Sequence, residues 1–420
     1  MHPVKVLRSA AAYALSALKW LPAAVLIGAM GGVVGAVFHH AIGAATAFRL
    51  GHAWVLFLLP VGAILIDLLY RLFRLPDSAG TNLVLEAIYS TTRVPVRLAP
   101  VIVLGTVMTH FFGGSAGREG AALQIGGSLA YGVARLLRVE GEEEQNLLLL
   151  CGMAAVFAAL FGTPVTAAIF VIEVISVGRF IYSGLLPTLA SSLTAFGLSQ
   201  LLGGEAVRLD LAFAGPVTAV LVLQTAALAV LGAVMSIVFC VVVHRCARIS
   251  EKLLTNPFLR SFVLGALLLG MTLLSGGQAF NGAGMETVER AVAGERIAWY
   301  AFILKLLFTA VTLAAGYRGG EIVPLFFVGA AFGAVAGPLL GMDAGLAAAI
   351  GMVALFCGAV NCPMASAFLA VEVFGGGYLS LMMVTCAVSY IFSGYFGLYS
   401  SQHIVRSKVG NELIDRHAEE

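Results

Sequence analysis

Charge is the scarcest property of this chain. Asp, Glu, Lys and Arg together make up 11% of its 420 residues, against 60% hydrophobic residues, where soluble proteins average roughly 25% and 45–50%. So few charges cannot cover a soluble surface, so most of the exterior faces lipid. A secreted enzyme, a nucleic-acid binder and a disordered scaffold are excluded. The six cysteines (Cys151, Cys240, Cys246, Cys357, Cys362, Cys386) form no CxxC pair or zinc spacing and lie in or beside apolar runs, which leaves no disulfide framework. Metal motifs are missing too. His39 and His40 are adjacent rather than i, i+4, and there is no HExxH, paired-Asp motif or GxSxG elbow, which argues against an intramembrane protease or hydrolase. Neither a Walker nor a dinucleotide fingerprint occurs, so no cofactor, no metal and no ATP drive are expected. The net charge of +2 and pI of 8.2 reflect basic groups at ends and loops, with no patch for nucleic acid.

What is present is apolar length and glycine. Mean hydropathy is +0.98, there are 49 glycines, and apolar runs fill the chain from Leu21 to Phe396. The reading is an all-α polytopic membrane protein. The run Val217–His244 is long enough for a bilayer at about 20 residues. Others are cut short around Gly113–Gly127, Gly162–Pro164, Gly319–Pro324 and Cys362–Pro363, as in transporters whose helices stop near the midplane. The start, MHPVKVLRSAAAYALSALKW, could pass for a signal peptide. Lys19 interrupts it and LPAAVLIGAMGGVVGAVF follows directly, so it reads as an amphipathic leading helix before a first span. Lys5, Arg8 and Lys19 at the front, and Arg406, Lys408 and Arg416 at the back, favour cytoplasmic termini. Arg245, Arg248, Lys252 and Arg260 suit a loop on that same side.

The chain also repeats itself. GMAAVFAALFGTPVTAAIFVIEV from Gly152 lies over GMVALFCGAVNCPMASAFLAVEV from Gly351 without a gap, placing Pro164 over Pro363 and Glu173 over Glu372. Upstream, GREGAALQIGG at Gly117 lies more loosely over GGEIVPLFFVG at Gly319, placing Glu119 over Glu321. Such duplications build two halves around one central site, often with inverted topology.

In GGSAGREGAALQIGG, the turn formers Gly113, Gly114, Ser115 and Gly117 precede a helix beginning near Ala121. The first N–H groups of that helix would be free donors inside the membrane, and its dipole would favour an anion there. Glu119 lies at that point. It could be a plain N-terminal cap, but an intramembrane carboxyl is a functional candidate by default. A carboxylate in an anion site can leave it by taking a proton, so one residue could be both gate and proton carrier. Glu173 and Glu372 read instead as caps of buried helix ends.

GGSAGREGAALQIGGSLA resembles the G-R-E-G segment of the CLC chloride channels and proton-coupled anion antiporters. The resemblance runs in order through FGTPVTAAIFVIEV, GYRGGEIVPLFFVGAAFG, CPMASAFLAVEV and GLYSSQ. It is nearest to the bacterial fluoride/proton antiporter branch. The family's G-S-G-I-P is replaced by Gly80-Thr81-Asn82-Leu83-Val84, and its G-x-F-x-P by Gly320-Glu321-Ile322-Val323-Pro324. Val174 stands where chloride/proton exchangers of the family carry a second glutamate. The fluoride branch has Thr where Val323 stands, and often Met or Asn where Thr81 falls.

The resemblance implies a CLC-type inverted-repeat transporter with broken helices. One transmembrane domain would span 1–400, with repeats at about 95–205 and 298–400 and a short cytoplasmic tail at 401–420. Glu119 would be the external gating and proton-coupling residue. Thr81, Asn82, Glu321, Ile322, Val323 and Tyr399 would line the anion site. The expected function is export of fluoride against protons from the bacterial inner membrane, by a lipid-embedded homodimer. A chloride-selective antiporter or passive anion channel is the alternative.

Overall fold

The computed structural model describes residues 18–75, 80–90, 94–211, 213 and 215–419. The expected amphipathic leading helix falls almost wholly on residues 1–17, outside this range. Among the described residues there are sixteen α-helices. The first eight are α1 (Leu21–Gly51), α2 (Leu59–Leu72), α3 (Thr81–Glu86), α4 (Leu98–Phe112), α5 (Glu119–Leu136), α6 (Glu142–Phe161), α7 (Pro164–Glu173) and α8 (Leu185–Leu201). The second eight follow the same succession of long and short elements: α9 (Ala219–Leu253), α10 (Pro257–Leu274), α11 (Met285–Val292), α12 (Ala301–Ala314), α13 (Ile322–Leu339), α14 (Ala344–Val360), α15 (Pro363–Phe374) and α16 (Leu379–Phe392). The succession therefore extends back to α1, well before the segments whose residues visibly match.

Among the described residues, six stretches are long and apolar enough to cross a membrane, among them α1, α6, α9 and α13. Several others are much shorter. α7 has 10 residues and α15 has 12, at 1.5 Å of rise each about half a bilayer core. Local chemistry makes these breaks. α6 ends on Gly162 (φ +70) and α14 on Asn361 (φ +57), both left-handed, and each next helix opens on a proline, Pro164 or Pro363. Glycine and asparagine tolerate that conformation best, and proline suits a first helical position because it has no N–H to orphan.

The two halves are inverted. The Glu372 carboxylate near the end of α15 accepts from the N–H groups of Val165 (3.0 Å) and Thr166 (2.8 Å) at the start of α7. The Glu173 carboxylate ending α7 accepts from Met364 (3.1 Å) and Ala365 (2.8 Å) at the start of α15. Each short helix thus places its C-terminal end at the other's N-terminus, so the two run antiparallel.

Close glycine crossings recur in both halves. A Cβ on Gly126 or Gly152 would overlap the other's carbonyl, which locks α5 against α6, and Gly329 with Gly351 does the same for α13 against α14. These landmarks correct the looser repeat alignment by one residue. Gly117 pairs with Gly320, and Arg118 and Glu321 are the N-caps of two 18-residue helices. Glu119 therefore corresponds to Ile322, and Glu321 to Arg118.

A small sheet accompanies the helices. β1 (Ser176–Val177) pairs in parallel with β2 (His403–Arg406), which pairs antiparallel with β3 (Leu413–His417). The segment after Ser401 is thus a hairpin docked on the end of α7, with Ile404 fully buried.

Candidate functional site

Two helix N-termini meet inside the protein. Gly117 N donates to the Gly320 carbonyl at 2.7 Å and Gly320 N to the Gly117 carbonyl at 2.9 Å. This minimal bridge sets the first turns of α5 and α13 side by side, each with N–H groups that no intrahelical carbonyl can take. Glu119 lies between them, fully buried. Its Oε1 accepts from Arg118 N at 3.0 Å and its Oε2 from Val323 N, across the bridge, at 3.3 Å. Only glycine permits this. A Cβ on Gly117 would collide with the Glu119 carboxyl, and one on Gly320 would stand 2.5 Å from its Oε2.

Neighbouring side chains fix this junction. The Arg118 guanidinium donates to His39 Nδ1 at 2.7 Å and to the Leu160 carbonyl at 2.9 Å. Because arginine only donates, that Nδ1 is unprotonated. Ile322 and Val323 are buried in the first turn of α13. Glu321 precedes them, and its Oε2 is buried with no hydrogen-bond partner among the described residues.

Thr81 opens α3 against the same junction. Its hydroxyl lies 3.5 Å from the Gly120 carbonyl and 2.8 Å from where a Gly120 Cβ would stand. Asn82 faces elsewhere. Its Nδ2 donates to Ser400 Oγ at 3.0 Å and its Oδ1 accepts from Ser401 N at 3.3 Å. Both ends of its amide are engaged in holding the loop that presents Tyr399. Tyr399 is 3% exposed, and its hydroxyl has no partner among the described residues, an uncommon state for a buried phenol.

The arrangement brings the backbone N–H donors of two helix starts together around a buried carboxyl, with the Thr81 hydroxyl beside them. It can hold one small anion, and the Glu119 carboxylate currently makes the contacts such an anion would make. Sequence reasoning passed over a group next to it. Arg49, His110, Arg118 and Asn281 line a cavity of about 410 Å³ that reaches Glu119 and Val323, and Lys305 lies buried behind it. The signal was available, since Arg49 and Lys305 are lone cations in apolar runs.

An inverted pair of helical bundles, with broken helices whose N-termini converge on a buried carboxyl, defines a membrane ion-transport protein rather than an enzyme. The chain belongs to the CLC family: the family model described as "Voltage gated chloride channel" matches residues 61–394. A relative named "Chloride/fluoride channel protein", from Pseudomonas syringae pv. tomato, is 34% identical over 398 residues, covering 93% of this chain and 87% of its own length. The H(+)/Cl(-) exchange transporter ClcA of Salmonella typhimurium is 27% identical over 90% of this chain and 86% of its own. Among solved structures, a CLC-type fluoride/proton antiporter superposes with a TM-score of 0.88 at 32% identity, covering 93% of this chain and 99% of that one. A slow cyanobacterial Cl-/H+ antiporter shares the fold at 20% identity, with a TM-score of 0.76 over 89% of this chain.

Proposed function

We propose that the protein exports fluoride in exchange for protons across the bacterial inner membrane. The single observation that carries this reading is the Glu119 carboxylate folded into the start of α13, where it accepts from Val323 N. Ionised, it is an intramolecular anion that closes the path. Protonated, it loses the attraction of the two helix dipoles and leaves, and a fluoride ion takes its N–H donors. Deprotonation toward the opposite face returns it. One carboxyl thereby exchanges one ion for the other, since both compete for the same place.

In this reading the backbone N–H groups of Ile322 and Val323, the Thr81 hydroxyl and the Tyr399 hydroxyl receive the anion. Neutral donors hold it loosely enough for release. Glu321 can meet it only when protonated. Asn82 acts through the Tyr399 loop. Residues up to about 400 form the transmembrane body, and the 403–417 hairpin faces the cytoplasm together with the N-terminus. The functional unit is a lipid-embedded homodimer. In a cell negative inside, fluoride leaving and a proton entering are both electrically downhill, by about 2.3 kcal/mol per 100 mV each.

A passive anion channel is the second reading. It is favoured by Val174, which supplies no second intramembrane carboxyl for a proton, and by the word "channel" in the relative's name. Proteoliposomes of purified protein separate the two. Under a fluoride gradient alone, the antiporter drives protons uphill, and Glu119→Gln abolishes that movement. Wild-type fluoride flux without proton movement would establish the channel, and chloride flux exceeding fluoride would overturn the substrate.

A further inference from the structure

We infer that the cavity in front of Glu119 holds a second anion subsite, built on Arg49, where a fluoride or other small halide rests before it competes with the carboxylate. Arg49 ends α1 and is 3% exposed, yet its Nε and Nη1 have no hydrogen-bond partner among the described residues. Among the described residues no ion pair joins it to a carboxylate.

The surrounding carbonyls are engaged elsewhere. Asn281 Nδ2 donates to the Gly113 carbonyl at 2.7 Å, and Gly282 N to the Gly114 carbonyl at 3.0 Å. Lys305 Nζ takes the carbonyls of Phe280 at 3.1 Å and Gly282 at 2.7 Å. The loop that could have satisfied Arg49 is instead turned toward a second buried cation, and the two cations repel one another. Burying an unpaired cation is costly unless an anion and hydrogen bonds compensate it.

The guanidinium lies against two glycines. Its Nη1 is 3.3 Å from where a Gly113 Cβ would stand, and its Nη2 is 3.3 Å from the equivalent point on Gly282. It borders the cavity of about 410 Å³ whose wall also includes Arg118, Glu119 and Val323. A planar fork of N–H donors with unused hydrogens suits a compact anion, and charge assistance makes such bonds strong. The subsite differs from the position between the helix N-termini, because an anion on Arg49 leaves Glu119 in place. It would raise the local anion concentration at the gate.

The ligand assignment rests on the anion-transport reading, so the test measures binding and transport separately. In titration calorimetry with sodium fluoride on the detergent-purified full chain, Arg49→Met should lose one bound anion per chain relative to wild type. In proteoliposomes its half-saturating fluoride concentration should rise about tenfold. Arg49→Lys keeps the buried charge but not the fork, and should shift half-saturation by a smaller factor. Wild-type crystals soaked in bromide give a readout that no variant can spoil: an anomalous peak within hydrogen-bond reach of Arg49 is expected. Unchanged stoichiometry and half-saturation in both variants, or no such peak at Arg49, would overturn the subsite while coupled transport by the wild type still stood. A peak at Arg49 in a protein that moves fluoride without protons would uphold the subsite and overturn the antiport reading.

Discussion

Glu173 and Glu372 cap each other's helices: each carboxylate accepts two backbone N–H groups at the start of the half-membrane helix that carries the other. The contact is reciprocal, so it ties the two inverted halves at a pair of equivalent points. It also engages both oxygens of each glutamate, which suits a structural brace better than a proton carrier.

Removing either brace should cost nearly the same. Charge-assisted bonds contribute about 1.5–3 kcal/mol apiece, and the buried N–H donors left behind add to the loss. Glu173→Ala and Glu372→Ala are each expected to destabilise the purified protein by about 2–4 kcal/mol, read by denaturant or thermal unfolding in detergent. The number of protons moved per fluoride should stay at the wild-type value in both. A changed ratio in one alone would give that glutamate a part in coupling.

Gly117 offers a way to disturb the gate without altering its chemistry. The atoms nearest a Cβ there all belong to the Glu119 carboxyl, so Gly117→Ala should push the side chain off Val323 N and leave the backbone bridge intact. Fluoride flux is then expected to persist with fewer protons per ion, measured with paired fluoride and pH electrodes. Gly270→Ala on α10, where nothing lies within 4 Å, serves as the control and should leave the ratio unchanged.

Much of the architecture is legible because local chemistry dictates it. Pro164 and Pro363 announce the broken helices, and the glycines before Glu119 announce a helix start inside the membrane. The glycine–methionine blocks at Gly152 and Gly351 announce the duplication. Other features depend on contacts that no local pattern encodes. The one-residue shift that sets Glu119 opposite Ile322 follows from the Gly117–Gly320 bridge between distant segments. The three leading helices of each half agree in their order and relative lengths, with no residue match noticed. The tail hairpin forms because Ser176 and Val177 supply a strand for it. Asn82 reads as a ligand from its motif, but its amide faces Ser400 and Ser401.

Tyr399 separates binding from folding. Its buried hydroxyl has no partner among the described residues, so Tyr399→Phe removes no intramolecular hydrogen bond and should leave unfolding stability within about 0.5 kcal/mol. If the hydroxyl meets the anion, the same change should weaken fluoride binding by about five- to tenfold, equivalent to about 1–1.4 kcal/mol. Fluoride titration of wild type and variant provides the measurement. Equal affinities would remove Tyr399 from the site.

Glu119 lies two residues after Gly117 and Glu321 one residue after Gly320, at the two ends of the same bridge, yet they should behave oppositely on losing their acidity. Glu119 accepts from Arg118 N and Val323 N, contacts that favour a charged carboxylate and make its release depend on a proton. The buried Oε2 of Glu321 receives no such donor among the described residues, and a carboxyl so placed is best accommodated neutral. Glutamine imitates a neutral carboxylic acid in size and can still donate to an anion. Glu321→Gln is therefore expected to keep proton-coupled fluoride movement at no less than about half the wild-type rate, with stability within about 1 kcal/mol. Glu119→Gln should stop proton movement altogether. Proteoliposome assays of the two variants side by side decide the matter, and a Glu321→Gln protein that carries fluoride but no protons would transfer the coupling role from Glu119 alone to the pair.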